Sequence, residues 1–416
     1  VSDPKTLFIH HGRLVGGAPT SLKNTALALK SLGFSRLKIL CTYPDMKPFF
    51  QDEAKVEVGD FHSPHLIVGR VLNGWATMLN WRTFILFFLE LIRAPLTIYR
   101  QVRCLRAEDP DIVHLNSSIL IVAALSAKLA GYPVVWHVRE VLLGGKYNLR
   151  RRLAGWIIRR LADRVICISE VEARSLGPDI YGNVSVVYNF VDFSSFHSTR
   201  EAEAELLEKF ELKADKPIYL SLGGCSFRKG TVEIIEAAEK MPDAQFVIAG
   251  TTPGNKILGT SSRLINVVLH RLEDLLMAIR LKAYYSWAYD QRISRMMSGG
   301  RAENVYFVGR MDFVPPVIAI SDAVMFAGCT PHFPRPVYEA WVLEKPVVIF
   351  DMEGVSDNVD DCVDGVVAPR RDARGLLEAL SRTSLDMGKK GRIKALEKFD
   401  MQKNTKQIVD IYGSLE

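Results

Sequence analysis

The sequence predicts an α/β protein made of two halves, each built on a parallel sheet. Three observations predict it. Short apolar runs alternate with helical patterns along most of the chain, the rhythm of repeated β-α-β units. A glycine loop joins a strand to a helix start in each half, at Gly16-Gly17 and at Gly223-Gly224. A polar, charged stretch, Ser194–Ala214, separates the halves as a linker.

The bulk composition agrees with this reading. A chain of 416 residues has length for two or three domains. At 48% hydrophobic and 24% charged it can bury ordinary cores and is not disordered. The net charge of +6 is too mild to argue for nucleic acid and suits an anionic ligand or an anionic lipid surface equally. The six cysteines are widely spaced with no CxxC, which reads as reduced core thiols of a cytoplasmic protein, not a disulfide or zinc framework. The opening VSDPKTLFIHH lacks the apolar core of a secretory signal. The missing initiator Met reads as a processed or trimmed start. There is no solenoid repeat and no low-complexity tract.

In the first half, Leu7–His10 reads as a strand that runs into His11-Gly12-Arg13 and Gly16-Gly17-Ala18. Leu22, Ala26 and Leu29 mark the following helix, which Gly33 ends, and Leu37–Cys41 is the next strand. Strand, glycine loop, helix, strand is half of a nucleotide-binding unit. Its glycines let a ligand approach the backbone, and its helix start favours an anion. Residues 44–110 are the least regular part. Within them Phe84–Ile92 is strongly apolar, interrupted by Glu90 and followed by Pro95. It is too short to span a bilayer, which takes about 20 apolar residues. It reads either as a core helix or as a helix lying in a membrane interface, flanked by Arg82, Arg93, Arg100 and Arg103. Strands at Asp111–Leu115, Val134–Val138, Arg164–Ile168 and Val184–Tyr188 then alternate with helices at Ser118–Leu129 and Leu149–Ala162. His137 ends a strand, where open α/β sheets collect ligands. A histidine there is otherwise a satisfied structural residue.

In the second half, Lys216–Leu222 is a strand, Gly223–Gly230 a loop and Thr231 the start of a helix, with Gln245–Ala249 the next strand. Arg228 and Lys229 lie in that loop. Backbone N–H groups, a helix start and two cations together suit a diphosphate; the plain alternative is a solvated loop. The stretch Gly250–Asn304 has helical apolar spacing at Leu264, Val268, Leu272, Leu275, Leu276, Ile279 and Tyr284, with Arg263, Arg271, Arg280, Lys282, Arg292 and Arg295 adding charge. It reads either as helices packed on the sheet or on a second subunit, or as a basic amphipathic surface for anionic lipid. Val305–Val308 and Ser321–Phe326 are strands. Pro336 suits a first helical turn, Val337, Ala340 and Trp341 repeat at helical spacing, Lys345-Pro346 stops the helix, and Val347–Phe350 is a buried strand. Glu339 is thus expected in the first turn of a helix beside a strand edge. There it can accept from two neighbouring hydroxyls, such as a ribose diol, or simply meet the helix dipole. The tail from Ala373 reads as mostly helical.

These motifs resemble those of the large retaining glycosyltransferase family numbered four, which has the GT-B fold. Glu339-Ala340 and Lys345-Pro346-Val347-Val348 match the second half of its donor signature, while Pro331 stands where the family has its first Glu. Gly16-Gly17 resembles the glycine pair of its first loop, with Ala18-Pro19 departing from the usual Ala-Glu. Lys229-Gly230 resembles its Lys-Gly, whose Lys binds donor phosphates. Pro110–His114, His137, Ile168-Ser169, Asn189-Phe190-Val191-Asp192, Gly354–Asp357 and Gly365–Val367 resemble further landmarks in the expected order.

The resemblance implies two Rossmann-like domains facing across a cleft. They would be 1–195 for the acceptor and 196–396 for the donor, with an insertion at 252–300 and a last helix, 397–416, packing back on the first domain. It implies transfer of a sugar from a nucleotide diphosphate sugar to a saccharide or lipid-linked acceptor. His137 and Glu339 would stand at the reacting centre. Lys229 and Arg228 would hold the diphosphate, with Arg228 replacing the family's Arg, whose place Gly224 takes. Gly16, Gly17, Gly224, Pro336 and Val337 would line the donor, and Glu339 would hold the ribose. His11, Arg13, Arg139 and Glu140 are acceptor candidates. With Pro331 in place of a Glu, contact with the transferred sugar falls to backbone amides near His332–Pro334. No DxD cluster is tied to a phosphate loop, so neither metal nor cofactor is expected. Partners are the nucleotide sugar, the acceptor, an anionic membrane surface and a second subunit, with no nucleic acid. Two other readings remain: a non-catalytic scaffold member, and an epimerase or hydrolase on the same fold.

Overall fold

The computed structural model describes residues 3–13, 16–62, 66–74, 76, 81–144, 148–252, 282–300, 302–311, 313–328 and 334–415, the side chains of 282–288 and 290 excepted. The chain forms two compact units, Val1–Asp192 with Lys398–Glu416, and Phe193–Glu397.

In the first unit, β1 (Thr6–His10), β2 (Leu37–Cys41), β3 (Glu57–Asp60), β4 (Ile112–Leu115), β5 (Val134–Val138), β6 (Arg164–Cys167) and β7 (Val184–Val186) form one sheet. Its order is β3-β2-β1-β4-β5-β6-β7, and its pairs are parallel. β1, β4 and β5 are buried at every residue, which is why TLFIH, IVHL and VVWHV lack polar alternation. Helices α1 (Gly17–Ser31), α2 (Leu66–Leu72), α3 (Trp81–Glu108), α4 (Ile121–Ala130), α5 (Leu149–Leu161) and α6 (Glu170–Ser175) cross between them. Ser169 caps α6 by accepting from the Val171 N–H.

The second unit opens with α7 (Arg200–Lys209). Its strands are β8 (Ile218–Leu222), β9 (Gln245–Ala249), β10 (Val305–Gly309), β11 (Ala323–Phe326), β12 (Val347–Phe350) and β13 (Val366–Ala368). They run parallel in the order β10-β9-β8-β11-β12-β13. Helices are α8 (Thr231–Glu239), α9 (Lys282–Ser298), α10 (Pro315–Ala319), α11 (Arg335–Val342), α12 (Ala373–Leu380) and α13 (Leu385–Lys398). The last helix, α14 (Met401–Gly413), belongs to the first unit, where Ile408 and Tyr412 join the apolar cluster around Phe8, Leu29 and Ile39.

Both sheets reverse strand order at one place, between β1 and β4 and between β8 and β11. Connections leave opposite faces of the sheet there, so a crevice opens at the carboxyl ends of the strands. Gly230 shows how tightly the second crevice is built. Its φ is +63°, and a Cβ there would lie 2.3 Å from the Ala327 carbonyl oxygen beyond β11. Both the backbone conformation and the space demand glycine. Gly230→Ala should therefore lower stability by about 1–3 kcal/mol, read as a shift of the urea midpoint at unchanged slope.

The irregular region 44–110 contains more order than its sequence shows. β3 extends the sheet, and α3 runs through Pro95, which lies on an exposed side of the helix. The core-helix reading of Phe84–Ile92 does not hold: Phe84, Ile85, Leu86, Phe88, Leu89, Leu91 and Ile92 are exposed, and Glu90 is the buried residue. Within the insertion, α9 packs Tyr289, Ile293 and Met296 into the core under α8. The spacing expected from Leu264 to Ile279, with Arg263, Arg271 and Arg280, lies outside the described residues. So do Pro331 and the amides of His332 and Phe333.

Candidate active site

In the second unit, the loop after β8 is stitched to the loop after β9. The Gly223 and Gly224 N–H groups both donate to the Ala249 carbonyl (2.9 and 2.8 Å), and the Cys225 N–H to that of Thr251 (2.7 Å). A Cβ on Gly224 would lie 2.1 Å from the Thr251 nitrogen, so an arginine could not occupy this position without moving the neighbouring loop. The Val232 N–H at the start of α8 donates to the Tyr289 hydroxyl (2.6 Å), which in turn donates to Glu233 (3.0 Å). Several amides that the sequence offered to a diphosphate are thus already engaged.

Lys229 lies over the ring of Phe326, the last residue of β11, 4.9 Å from its centroid. Its stem passes close to Gly223. Among the described residues no carboxylate pairs with it. Burial, helped by the neighbouring Arg228, pushes its ammonium down to about 8. Burial also lowers Arg228. A cation held in this way is under-compensated and gains from an incoming anion.

α11 begins at Arg335, one residue before Pro336, so Glu339 sits past the first turn, not in it. It is 4% exposed and binds Arg335 Nε through Oε1 at 2.5 Å. The side chain therefore pairs with a neighbour on its own helix and does not cap the helix start. Burial works against charge on Arg335, but the Glu339 carboxylate holds the guanidinium above its ordinary range. Pro336 has no N–H, the Val337 N–H donates to the Pro334 carbonyl (2.9 Å), and the Val337 side chain is buried. These two residues shape the helix start and have no donor left to offer.

In the first unit, the carboxyl ends of β1, β4 and β5 gather a polar cluster. Arg139 donates from Nε to Asn116 (2.6 Å), from Nη1 to Asn189 (2.7 Å) and from Nη2 to His137 Nδ1 (3.4 Å). His137 Nδ1 also meets His114 Nε2 at 3.1 Å, and His114 Nδ1 meets the Tyr412 hydroxyl at 2.7 Å. Arginine only donates, so His137 Nδ1 accepts. His114 Nε2 then carries a proton and His114 Nδ1 accepts from Tyr412. The proton of neutral His137 is left on Nε2, which is buried without a partner among the described residues. The relay presents one N–H donor at the end of β5, set in register by the last helix. Asn116 bonds His10 Nδ1 at 3.3 Å, and His10 Nε2 and His11 Nδ1 are likewise unpartnered.

The other expected residues fall around this cluster. Glu140 accepts from both Ser117 and Ser118 hydroxyls (2.9 and 2.8 Å) and from the Ser118 N–H (3.1 Å), so it ties β5 to the β4 loop. The Arg13 guanidinium lies 4.3 Å from the centre of the Tyr43 ring. Gly16 and Gly17 open α1, and among the described residues nothing lies within 4 Å of where a Cβ would stand. His10, Asn116, His114, Asn189 and Tyr412 were not singled out from sequence as site residues. Only Asn189 and His114 lay in quoted landmarks; Tyr412 is 298 residues from its partner, a separation no local pattern reports.

Burial pushes His10 and His114 down to about 3, and likewise lowers His11 and His137. Each binds fewer protons folded than unfolded, where the ordinary value is 6.5. For His10 and His114 stability therefore rises with pH across about 3 to 6.5 and is lost on acidification. The slope should be on the order of 1.4 kcal/mol per pH unit for each of these two. It is offset in part by Glu172, whose carboxyl burial pushes up to about 7, so that the folded chain keeps its proton between about 4.5 and 7. The net effect is read as a melting temperature that falls between about pH 7 and pH 5.

Comparison with known proteins places this architecture. Residues 15–195 match the family profile described as Glycosyltransferase Family 4, and residues 203–395 that described as Glycosyl transferases group 1. Alpha-D-kanosaminyltransferase of Streptomyces kanamyceticus is 26% identical over 190 residues, which cover 44% of this chain and 40% of that protein. This chain thus spans less than half the length of that relative. Anabaena Alr3699/HepE in complex with UDP-glucose superposes with a TM-score of 0.73 at 18% identity, covering 99% of this chain and 100% of that one. A glycosyltransferase from Rickettsia africae ESF-5 does so at 0.67 and 17%, covering 100% and 99%. At such identities the likeness shows the fold, which is GT-B.

Proposed function

Because this chain belongs to the group 1 glycosyltransferases, we propose that it moves a sugar from a nucleotide diphosphate sugar to a hydroxyl of a saccharide or lipid-linked saccharide, with retention at the anomeric carbon. Lys229 carries the reading: a half-buried ammonium at the order reversal of the second sheet, over Phe326 and without a carboxylate partner among the described residues. A leaving diphosphate gathers negative charge as the sugar C1–O bond breaks, and fixed cations at that place lower the barrier. Lys229 and Arg228 supply them, so the reaction asks for no metal. Glu339 binds the ribose through oxygen not committed to Arg335. The first unit serves the acceptor and sugar hydroxyls, with His137 Nε2–H as donor and His11, Arg13 and Arg139 as polar partners. A uridine diphosphate sugar is the first donor to try, since the Anabaena neighbour holds UDP-glucose. The thiols of Cys41, Cys104, Cys167, Cys225 and Cys362, none in a disulfide among the described residues, support a reducing, cytoplasmic setting.

The test is a thermal-shift panel of nucleotide diphosphate sugars, followed by nucleoside diphosphate release with and without saccharide acceptors. Stabilisation by one donor and release only with acceptor support transfer. Release without acceptor means hydrolysis. A second reading, a nucleotide-sugar binder without transfer, is favoured by the Arg335–Glu339 pair, which engages the carboxylate. It predicts a thermal shift and no release under any condition.

A further inference from the structure

Helix α3 is amphipathic in the reverse sense. Its buried residues are Glu90, Thr97, Gln101 and Leu105, so the inward stripe is mostly polar. The outward stripe, Ile85, Phe88, Ile92, Leu96 and Tyr99, is 46–76% exposed and recurs at three- and four-residue steps, one face of a helix. The inward groups hold this orientation. Glu90 accepts from the Ile67 and Val68 N–H groups at the start of α2 (3.2 and 2.9 Å). Gln101 donates to the His62 carbonyl (2.8 Å) and accepts from Ser126 (2.8 Å). Rotating α3 to hide its apolar stripe would carry Glu90 and Gln101 away and strip the Ile67 and Val68 N–H groups and the His62 carbonyl of these partners.

The outward face carries charge of one sign. Arg82, Arg93, Arg100, Arg103 and Arg106 are exposed, and the sole acid between Trp81 and Ala107 is the inward Glu90. α5 lies in the same layer, in contact with α2 and α4. It repeats the pattern with Leu149, Leu153 and Trp156 exposed at four- and three-residue steps beside Arg152 and Arg160, and it has no acid. Trp81, Tyr99 and Trp156 are exposed too, and their rings suit the boundary between acyl chains and head groups. Among the described residues no helix is long and apolar enough to cross a membrane, so such a face lies on a bilayer and does not span it.

We propose that α3, assisted by α5, docks the first unit on the surface of a bilayer rich in anionic lipid. The apolar stripe would enter the head-group boundary, with the arginines on lipid phosphates. The surface deepens the transferase reading only in bringing the protein to a lipid-linked acceptor; docking itself does not rest on that reading.

Vesicle flotation of the full chain, without donor or acceptor, tests it. Vesicles with about 30% phosphatidylglycerol should capture the protein, and neutral phosphatidylcholine vesicles should capture at least about tenfold less. The double variant Ile92→Glu/Leu96→Glu changes only exposed side chains. It should keep the circular dichroism spectrum and melting temperature and lose at least about tenfold in partition. Equal capture by both vesicle types overturns the choice of anionic lipid. Capture unchanged in the variant overturns the assignment to α3. No capture, with a concentration-dependent dimer that the variant abolishes, overturns the proposal in favour of a second copy. No capture and no dimer overturns it outright. Because no transfer is measured, failure here leaves nucleoside diphosphate release to be judged by itself.

Discussion

Lys229→Ala is expected to lower kcat/KM for transfer by about 10²–10³-fold, the usual loss when one fixed charge at a developing anion is removed. Most of the loss should fall on kcat, because the diphosphate carries more charge as it leaves than in the bound donor. The melting temperature should hold or rise, since the ammonium lies over Phe326 with no carboxylate partner among the described residues. Its position also sets a pH signature. Free Lys229 loses its proton above about 8, and a bound diphosphate raises that value again. Donor binding above about pH 8 should therefore weaken and take up a proton, visible as a buffer-dependent binding enthalpy. The wild-type dependence should vanish in Lys229→Met. Full activity of the alanine variant would remove the central support of the transferase reading.

Glu339→Ala is expected to raise the donor KM by about 10–100-fold and to destabilise the second unit. The two effects have different origins. Loss of the proposed ribose contact would weaken donor binding. Loss of the partner leaves the Arg335 guanidinium short of its counter-charge, which would be severe for a fully buried pair. The Arg335 side chain is 28% exposed, so water screens it and about 1–2 kcal/mol is the expected change. Glu339→Ala/Arg335→Leu separates them. If the carboxylate binds donor, the double variant recovers its urea midpoint and keeps the poor KM. If the pair is only structural, both recover together.

Much of the second-unit candidate site was legible because its signals are local. Gly223, Lys229 and Gly230 form one strand–loop–helix corner, and the helix carrying Glu339 follows β11 directly. Where reading from sequence failed, partners were remote. The Val232 amide at the helix start is engaged by Tyr289, which arrives 57 residues later. The Arg335–Glu339 pair has helical spacing and was open to notice. The run Phe84–Ile92 reads from sequence either as a core helix or as a helix in a membrane interface, because hydropathy counts side chains without saying which way the helix is turned. Glu90 and Gln101 decide that, through bonds to backbone and side-chain groups 22 to 39 residues away.

The sequence by itself determined the α/β class, the order of most strands along the chain, the two glycine corners and the family to which they belong. These follow from periodicity, backbone freedom at glycine and charge near a helix start, all properties of short segments. Only the tertiary structure decided which groups are already satisfied: Glu140 bound by two serines, Gly224 pressed against Thr251, and His137 held by His114 and, through it, Tyr412 of the last helix. The physical reason is that a hydrogen bond in a buried site is settled by what else is desolvated beside it, and those neighbours come together only when distant segments pack.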